Sequence, residues 1–398
     1  MKIVKLQDIT LNITDGKHGD CESEDNSGYY FVSCKDVRDG NICYENARQI
    51  TERAFAETHN RTLLEPNDIL ITNSGTIGRM ALVKDIPETY KTTFQKSVAI
   101  VKPNQALMRP DYLYYSLLNC VHQFINESNG SAQKNLLLGT MRDFEIVIEE
   151  CFEKQEKLAG ILKAYDDLIE NNQKQIKLLE EAAQRLYKEW FLDLRFPGYE
   201  DCKIVDGIPE GWKKVILGDI CVLRKETLKP GKIEKGIPYI GLEHMPRKDI
   251  CLADWGDSSD IKSSKFQCYE NDVIFGKIRP YFHKVGYALV NCISSTDAII
   301  MVAEEGFWGL LLMITSSIPF VDYTYKTCKE GAKMPRADWN EMKKYSTLVA
   351  AEDIQKEFEE NIWIITRRIK SLAMQNRKLA EVRDRLLPKL MSREIEIK

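Results

Sequence analysis

No two cysteines of this 398-residue chain stand at CxxC spacing. Cys21, Cys34, Cys43, Cys120, Cys151, Cys202, Cys221, Cys251, Cys268, Cys292 and Cys328 are scattered singly, their number is odd, and only five histidines accompany them. A zinc-ligand pattern and a disulfide framework are thereby excluded. The thiols read as the reduced cysteines of a cytosolic, cytoplasmic protein. No long apolar run is present either. The greasiest stretch, Phe307 to Ile314, is far shorter than a membrane span of about 20 residues and predicts a buried helix. The N-terminus meets Asp8 before any apolar run, which argues against a signal peptide. No membrane association is expected.

Catalytic motifs are missing as well. Ser74-Gly75-Thr76-Ile77-Gly78-Arg79 has glycines, but not the lysine and helix start of a phosphate-cradling loop. The adjacent prolines of an adenine-methyltransferase loop occur nowhere. Asp272 to Lys277 carries one acid where a metal-dependent nuclease needs several, and neither HExxH nor GxSxG appears. No catalytic residue and no metal ligand is assigned. Charge of one sign is also lacking: the net charge is −4. Residues 1–150 hold 16 Lys+Arg against 21 Asp+Glu, and residues 197–350 hold 21 against 21. A nucleic-acid binder with this balance must gather its cations on one face.

What the sequence does have is an internal repeat. Val4-Lys5-Leu6-Gln7-Asp8-Ile9 resembles Val215-Ile216-Leu217-Gly218-Asp219-Ile220, and Asn67 to Ile71 resembles Asn271 to Phe275. Ala81-Leu82-Val83 recurs as Ala288-Leu289-Val290, and Gly130 to Asn135 lies opposite Gly331 to Arg336. The order of the matches is kept, as a duplication with loop insertions requires. Each half ends on a heptad seam. The first is Leu158, Leu162, Tyr165, Ile169, Asn172, Ile176, Leu179, Ala183, Leu186 and Trp190. The second, 200 residues on, is Phe358, Ile362, Ile365, Ile369, Leu372, Asn376, Leu379, Arg383, Leu386 and Leu390. A stripe held in one phase for more than four heptads predicts two long helices, 153–191 and 353–391, packed antiparallel along their seams. Asn172 and Asn376 would set register, and Arg383 would reach solvent or an acid. Proline and glycine at Pro197-Gly198 stop the first helix, and Pro388 lies about one turn from the end of the second, near Ser392.

Ahead of each helix come short β-type runs: Tyr29 to Cys34, Ile69 to Thr72 and Val98 to Val101, then Pro238 to Leu242, Val273 to Phe275 and Ala298 to Val302. A helix is expected at Pro110 to Asn119. The fold class is α+β. Two similar mixed domains, 1–150 and 197–350, are separated by helical spacers at 151–196 and 351–398 in a pseudo-two-fold arrangement.

This organisation resembles the specificity subunits of type I restriction–modification systems over the whole chain. Asp68-Ile69-Leu70-Ile71-Thr72-Asn73-Ser74-Gly75-Thr76-Ile77-Gly78-Arg79 looks like the family's DILxxxSGxxIGK segment, with Arg79 in place of lysine. Asp272 to Tyr281 looks like its DILFGKIRPY version. Gly130 to Leu136 and Gly331 to Trp339 resemble the closing segment of each recognition domain, and Leu386 to Ser392 the family's ending. The resemblance implies a non-catalytic subunit that reads double-stranded DNA. Each domain would take one half of a split, asymmetric target, with the halves roughly one helical turn, about 34 Å, apart. The helices would dock two methyltransferase subunits that bind S-adenosylmethionine. Motor–nuclease subunits using ATP and magnesium would join for restriction, and this chain would bind none of those cofactors.

Within that reading, residues able to meet bases or phosphates are Lys17, His18, Ser74, Thr76, Arg79, Gln95, Lys96, Gln133, Lys134 and Asn135 in the first domain. In the second they are His244, Arg247, Lys277, Arg279, Tyr281, His283, Lys284, Lys333 and Arg336. Arginine and lysine suit guanine edges, asparagine and glutamine suit adenine edges, and hydroxyls hold phosphates. Two rival readings are a self-contained restriction nuclease or methyltransferase, which the missing motifs disfavour, and a protein-only coiled-coil scaffold. The near-neutral charge favours the scaffold, whereas the duplicated β-rich domains disfavour it.

Overall fold

A computed structural model of the chain describes residues 1–38, 40–45, 47–128, 135–259, 261–328 and 333–396. The chain folds into two compact units, residues 1–167 with 379–398 and residues 168–378. Each unit holds one mixed body and a stretch of both long helices.

In the first unit, Lys2–Lys5 pairs antiparallel with Glu145–Ile148 and so draws the two ends of the body together. The central sheet has the order Thr10–Asp15, Val98–Pro103, Ile69–Thr72, Met80–Leu82, with every neighbour antiparallel. Ile69, Leu70 and Ile71 are all buried. Their side chains alternate between two cores. Ile69 and Ile71 face Tyr112, Leu113 and Leu117 of helix Pro110–Asn119, together with the long helices, whereas Leu70 faces Val32 and Phe94. A sheet covered on both faces explains why these strands read as continuous apolar runs.

The second unit repeats the plan. Lys213–Ile216 pairs with Ser346–Val349. The sheet runs Cys221–Leu223, Ala298–Ala303, Val273–Gly276, Val285–Ala288, and a fifth strand, Cys251–Leu252, is added in parallel. Val273 and Phe275 face one core, Ile274 the other. The apolar run near residue 310 is the helix Trp308–Thr315, buried along its length.

The first long helix covers Phe152–Tyr187 and the second Glu352–Met391. Every seam residue is buried or half-buried. In the first unit, Leu158 and Leu162 share a core with Leu387 and Leu390, and Arg383 pairs with Asp166. In the second, Asn172 Nδ2 donates to Asn376 Oδ1 at 2.9 Å, and Trp190 and Phe191 pack against Phe358, tilted and edge-on respectively. Within each unit rising numbers on one helix meet falling numbers on the other, so the pair is antiparallel there, as the heptad phase predicts. Asn376 Nδ2 in turn donates to the Ile169 carbonyl, so any register that parts the two seam asparagines is penalised. One departure from the expected plain helix lies at its end. Lys188–Leu192 forms a π turn, a widening that brings both Trp190 and Phe191 inward against Phe358 and Trp212.

Glu180 ties the first long helix to the second unit's body. One of its carboxylate oxygens accepts from the Ile250 and Cys251 N–H groups, each at 2.9 Å. Burial, helped by Asp249, pushes its carboxyl up from 4.5 to about 7. Between those values the folded chain holds a proton that the unfolded chain releases, so this group's contribution to stability falls as pH rises from 4.5 towards 7. Glu180→Gln keeps an acceptor oxygen and does not titrate. It is expected to gain roughly 2–3 kcal/mol at pH 8 and little at pH 4.5. Urea unfolding at the two pH values checks this, and an equal effect at both would contradict it.

Candidate nucleic-acid interface

The same clasp occurs in both units. In the first, Asn67 (φ 72°) turns the chain into Ile69–Thr72, which continues through Asn73–Arg79 and returns as Met80–Leu82. The Thr72 N–H donates to the Arg79 carbonyl at 2.8 Å. The closing segment lies across this loop: Leu136 N–H donates to the Asn73 carbonyl at 2.8 Å and Ser74 bridges to Asn135. In the second unit Asn271 (φ 71°) opens the strand and Gly276 N–H donates to the Lys284 carbonyl at 2.8 Å. Ala337 N–H donates to the Lys277 carbonyl at 2.8 Å, while Ile278 bridges to Arg336. Each strand start is pinned by a buried aspartate. Asp68 accepts from Glu65 N–H and Lys102, and Asp272 from Tyr269 N–H and Arg224. Burial pushes the Asp68 carboxyl up to about 6 despite Lys102.

In the first unit Lys17 bridges to Gln95, and Lys96 N–H donates to the Lys17 carbonyl at 3.0 Å, so these three predicted residues stand together. Asn73 N–H reaches the Ser97 carbonyl at 3.1 Å, which brings that group beside the loop carrying Ser74, Thr76 and Arg79. Thr76 and Asn135 are exposed, Ser74 and Arg79 half-buried. His18 pairs with Asp15 at 3.0 Å, and Asp15 also holds Arg61. Gln133 and Lys134 lie outside the described residues.

In the second unit Lys277 and Arg336 line an open cleft of about 730 Å³ together with Lys225, Phe266 and Trp339. Asp297 braces both residues, its backbone carbonyl accepting from Lys277 N–H at 2.8 Å and its carboxylate pairing with Arg336 at 3.6 Å. Beside it the Arg247 guanidinium lies 4.1 Å from the Phe282 ring centre and that of Arg279 5.6 Å. Exposed Tyr281 meets Phe282 and Tyr325 edge-on. Lys333 is exposed.

One predicted contact is corrected and two are restrained. His283 is buried with its ring bonded to the Ser316 carbonyl at 2.7 Å, and burial holds its pKa below the ordinary histidine value. The half-buried Lys284 ammonium donates to the Leu242 carbonyl, and His244 Nδ1 accepts from Gly241 N–H. Burial withdraws His283 from any DNA surface, whereas Lys284 and His244 each spend one bond on bracing a loop. Lys225 and Phe282 were passed over. Lys225 carried no signal in the sequence, since only the folded sheets enclose the cleft. Phe282, next to Tyr281 in an arginine-bearing loop, did carry one.

The description of the type I restriction modification DNA specificity domain matches residues 1–181. The chain is also similar to the specificity subunit of the type I restriction enzyme MjaIX from Methanocaldococcus jannaschii, 26% identical over 389 residues that cover 92% of this chain and 87% of that one. Residues 1–181 thus carry a type I restriction modification DNA specificity domain. A second relative, the MjaVIII specificity subunit of the same organism, is 25% identical over 222 residues, 55% of this chain and about half (48%) of that one. The fold agrees with a crystal structure of a type I system S subunit from M. genitalium, at TM-score 0.57 and 13% identity, over 98% of this chain and 95% of that one. The domain match ends at residue 181. Similarity to the MjaIX subunit extends beyond it, over 92% of the chain, and the second unit repeats the clasp.

Proposed function

We propose that this chain is a specificity subunit of a type I restriction–modification complex, that it reads a split, asymmetric duplex target, one half with the body at 1–150 and the other with the body at 197–350, and that it catalyses nothing itself. The repeated clasp with unlike side chains supports this reading. Two loops of one geometry carry Ser74, Thr76 and Arg79 in one unit and Lys277, Arg279 and Tyr281 in the other, so the halves they meet should differ. The helix pair would dock two methyltransferase subunits using S-adenosylmethionine, and motor–nuclease subunits using ATP and magnesium would complete the restriction complex. Such work belongs in the cytoplasm, where DNA and reduced thiols coexist.

The test is to reconstitute the complex with its methyltransferase subunits and map methylated sites. Bipartite sites are expected, with negligible methylation, cleavage or ATP hydrolysis by the purified chain alone. Changing Lys277 and Arg279 together to alanine should weaken or relax only one half-site. Robust turnover by the lone chain, or equal damage to both halves, contradicts the proposal.

A further inference from the structure

At one step of the repeated loop the first unit has Gly75 (φ 77°) and the second has Arg279 (φ 51°). A left-handed backbone suits glycine and strains a residue with a Cβ by about 1 kcal/mol, so the arginine is kept at a cost. Three hydrogen bonds hold the strained turn: Arg279 N–H to Pro335, Phe282 N–H to Arg279, and His283 N–H to Pro280, each at 2.8 Å. The Arg279 side chain is half-buried, and its buried Nε has no hydrogen-bond acceptor. A recessed cation with unspent donors fits phosphate oxygens, which run along the outside of the duplex, better than base edges deep in a groove.

Arg247 differs. It is exposed, and its guanidinium is stacked at 4.1 Å on the same Phe282 ring. Lys248 (φ 68°) turns the chain behind it, and the Lys248 N–H donates to the His283 carbonyl at 2.9 Å, fastening this loop to the Arg279 turn. Among the described residues no acid pairs with either arginine. An arginine that projects outward and is oriented by an aromatic face is prepared for two parallel bonds to guanine O6 and N7.

We propose that Arg247 reads a guanine in the half-site of the second unit, while Arg279 grips the DNA backbone beside it. This assignment rests on the DNA-reading proposal above. The test is selection from a randomised duplex library by the complex of this chain with its methyltransferase subunits, with R247A, R247K and R279A compared to wild type. R247A and R247K should each lose a guanine preference of about 5- to 150-fold at one position of one half, leaving the other half unchanged. R279A should keep all base preferences, weaken binding to every sequence alike, and reduce the salt dependence by about one charge. Full recovery of the preference in R247K would mean that charge alone acts, and unchanged preferences in R247A would mean that Arg247 reads nothing. Loss of a guanine in R279A would interchange the two roles. Each of these results overturns the assignment while leaving the split-site reading intact. A wild-type complex without sequence preference in either half would overturn both.

Discussion

Gly16→Ala is expected to erase recognition of one half-site and spare the other. A Cβ at residue 16 would lie 1.9 Å from the Phe94 carbonyl oxygen, 2.4 Å from its carbon and 2.6 Å from the Gln95 carbonyl oxygen. These are backbone atoms, and no rotamer change relieves the clash. Lys17 N–H bonds to that same Phe94 carbonyl at 2.8 Å, so the two segments must part to admit a methyl group. Overpacking of this kind costs about 1–3 kcal/mol, and sometimes more. The strain falls where Lys17, Gln95 and Lys96 are held together. Library selection with the variant complex should return the half-site of the second unit unchanged and the first degenerate. Loss in both halves would mean that the units do not read independently. No loss would mean that the Lys17 to Lys96 group is an ordinary charged surface.

Phe358→Ala should be the most destabilising of the seam substitutions, at about 3–5 kcal/mol. Phe358 is fully buried, with its ring 4.8 Å from that of Phe191 and 5.8 Å from that of Trp190. The π turn brings both partners inward from the end of the first long helix. Truncation would leave a cavity between rigid rings that cannot collapse into it. Ile364, on the same helix and 69% exposed, is the control, and its alanine variant should cost under about 0.5 kcal/mol. Urea unfolding of the whole chain measures both. A Phe358→Ala cost below about 1 kcal/mol would show that the helix ends do not pack as described.

Much of the architecture was legible from pattern alone. A heptad stripe works only if its residues share one face, so the phase from Leu158 to Trp190 and its echo 200 residues later already required two helices with matching faces. The runs Ile69–Thr72 and Val273–Gly276 are strands, as read, because short unbroken apolar segments flanked by turn residues suit a sheet buried on both sides. The candidate interface was legible in outline. The loops named for Ser74 and Lys277 are those that the closing segments clasp. What the sequence left open there is which polar atoms the fold itself engages. A histidine or lysine advertises a polar atom without saying what satisfies it, and for His283 and Lys284 the acceptors are the carbonyls of Ser316 and Leu242, 33 and 42 residues away in the chain.

By itself, then, the sequence determined the duplication, the two long helices, the mixed bodies ahead of them and the loops that differ between the halves. These follow from periodicity and from local conformational preference, which are properties of neighbours in the chain. Only the tertiary structure decided which donors stay unspent. It set Arg279 at the left-handed step where the first unit has Gly75, and it laid Arg247 against Phe282 across 35 residues of sequence. The availability of a polar group depends on which distant carbonyls and rings fold against it, and no local pattern encodes that.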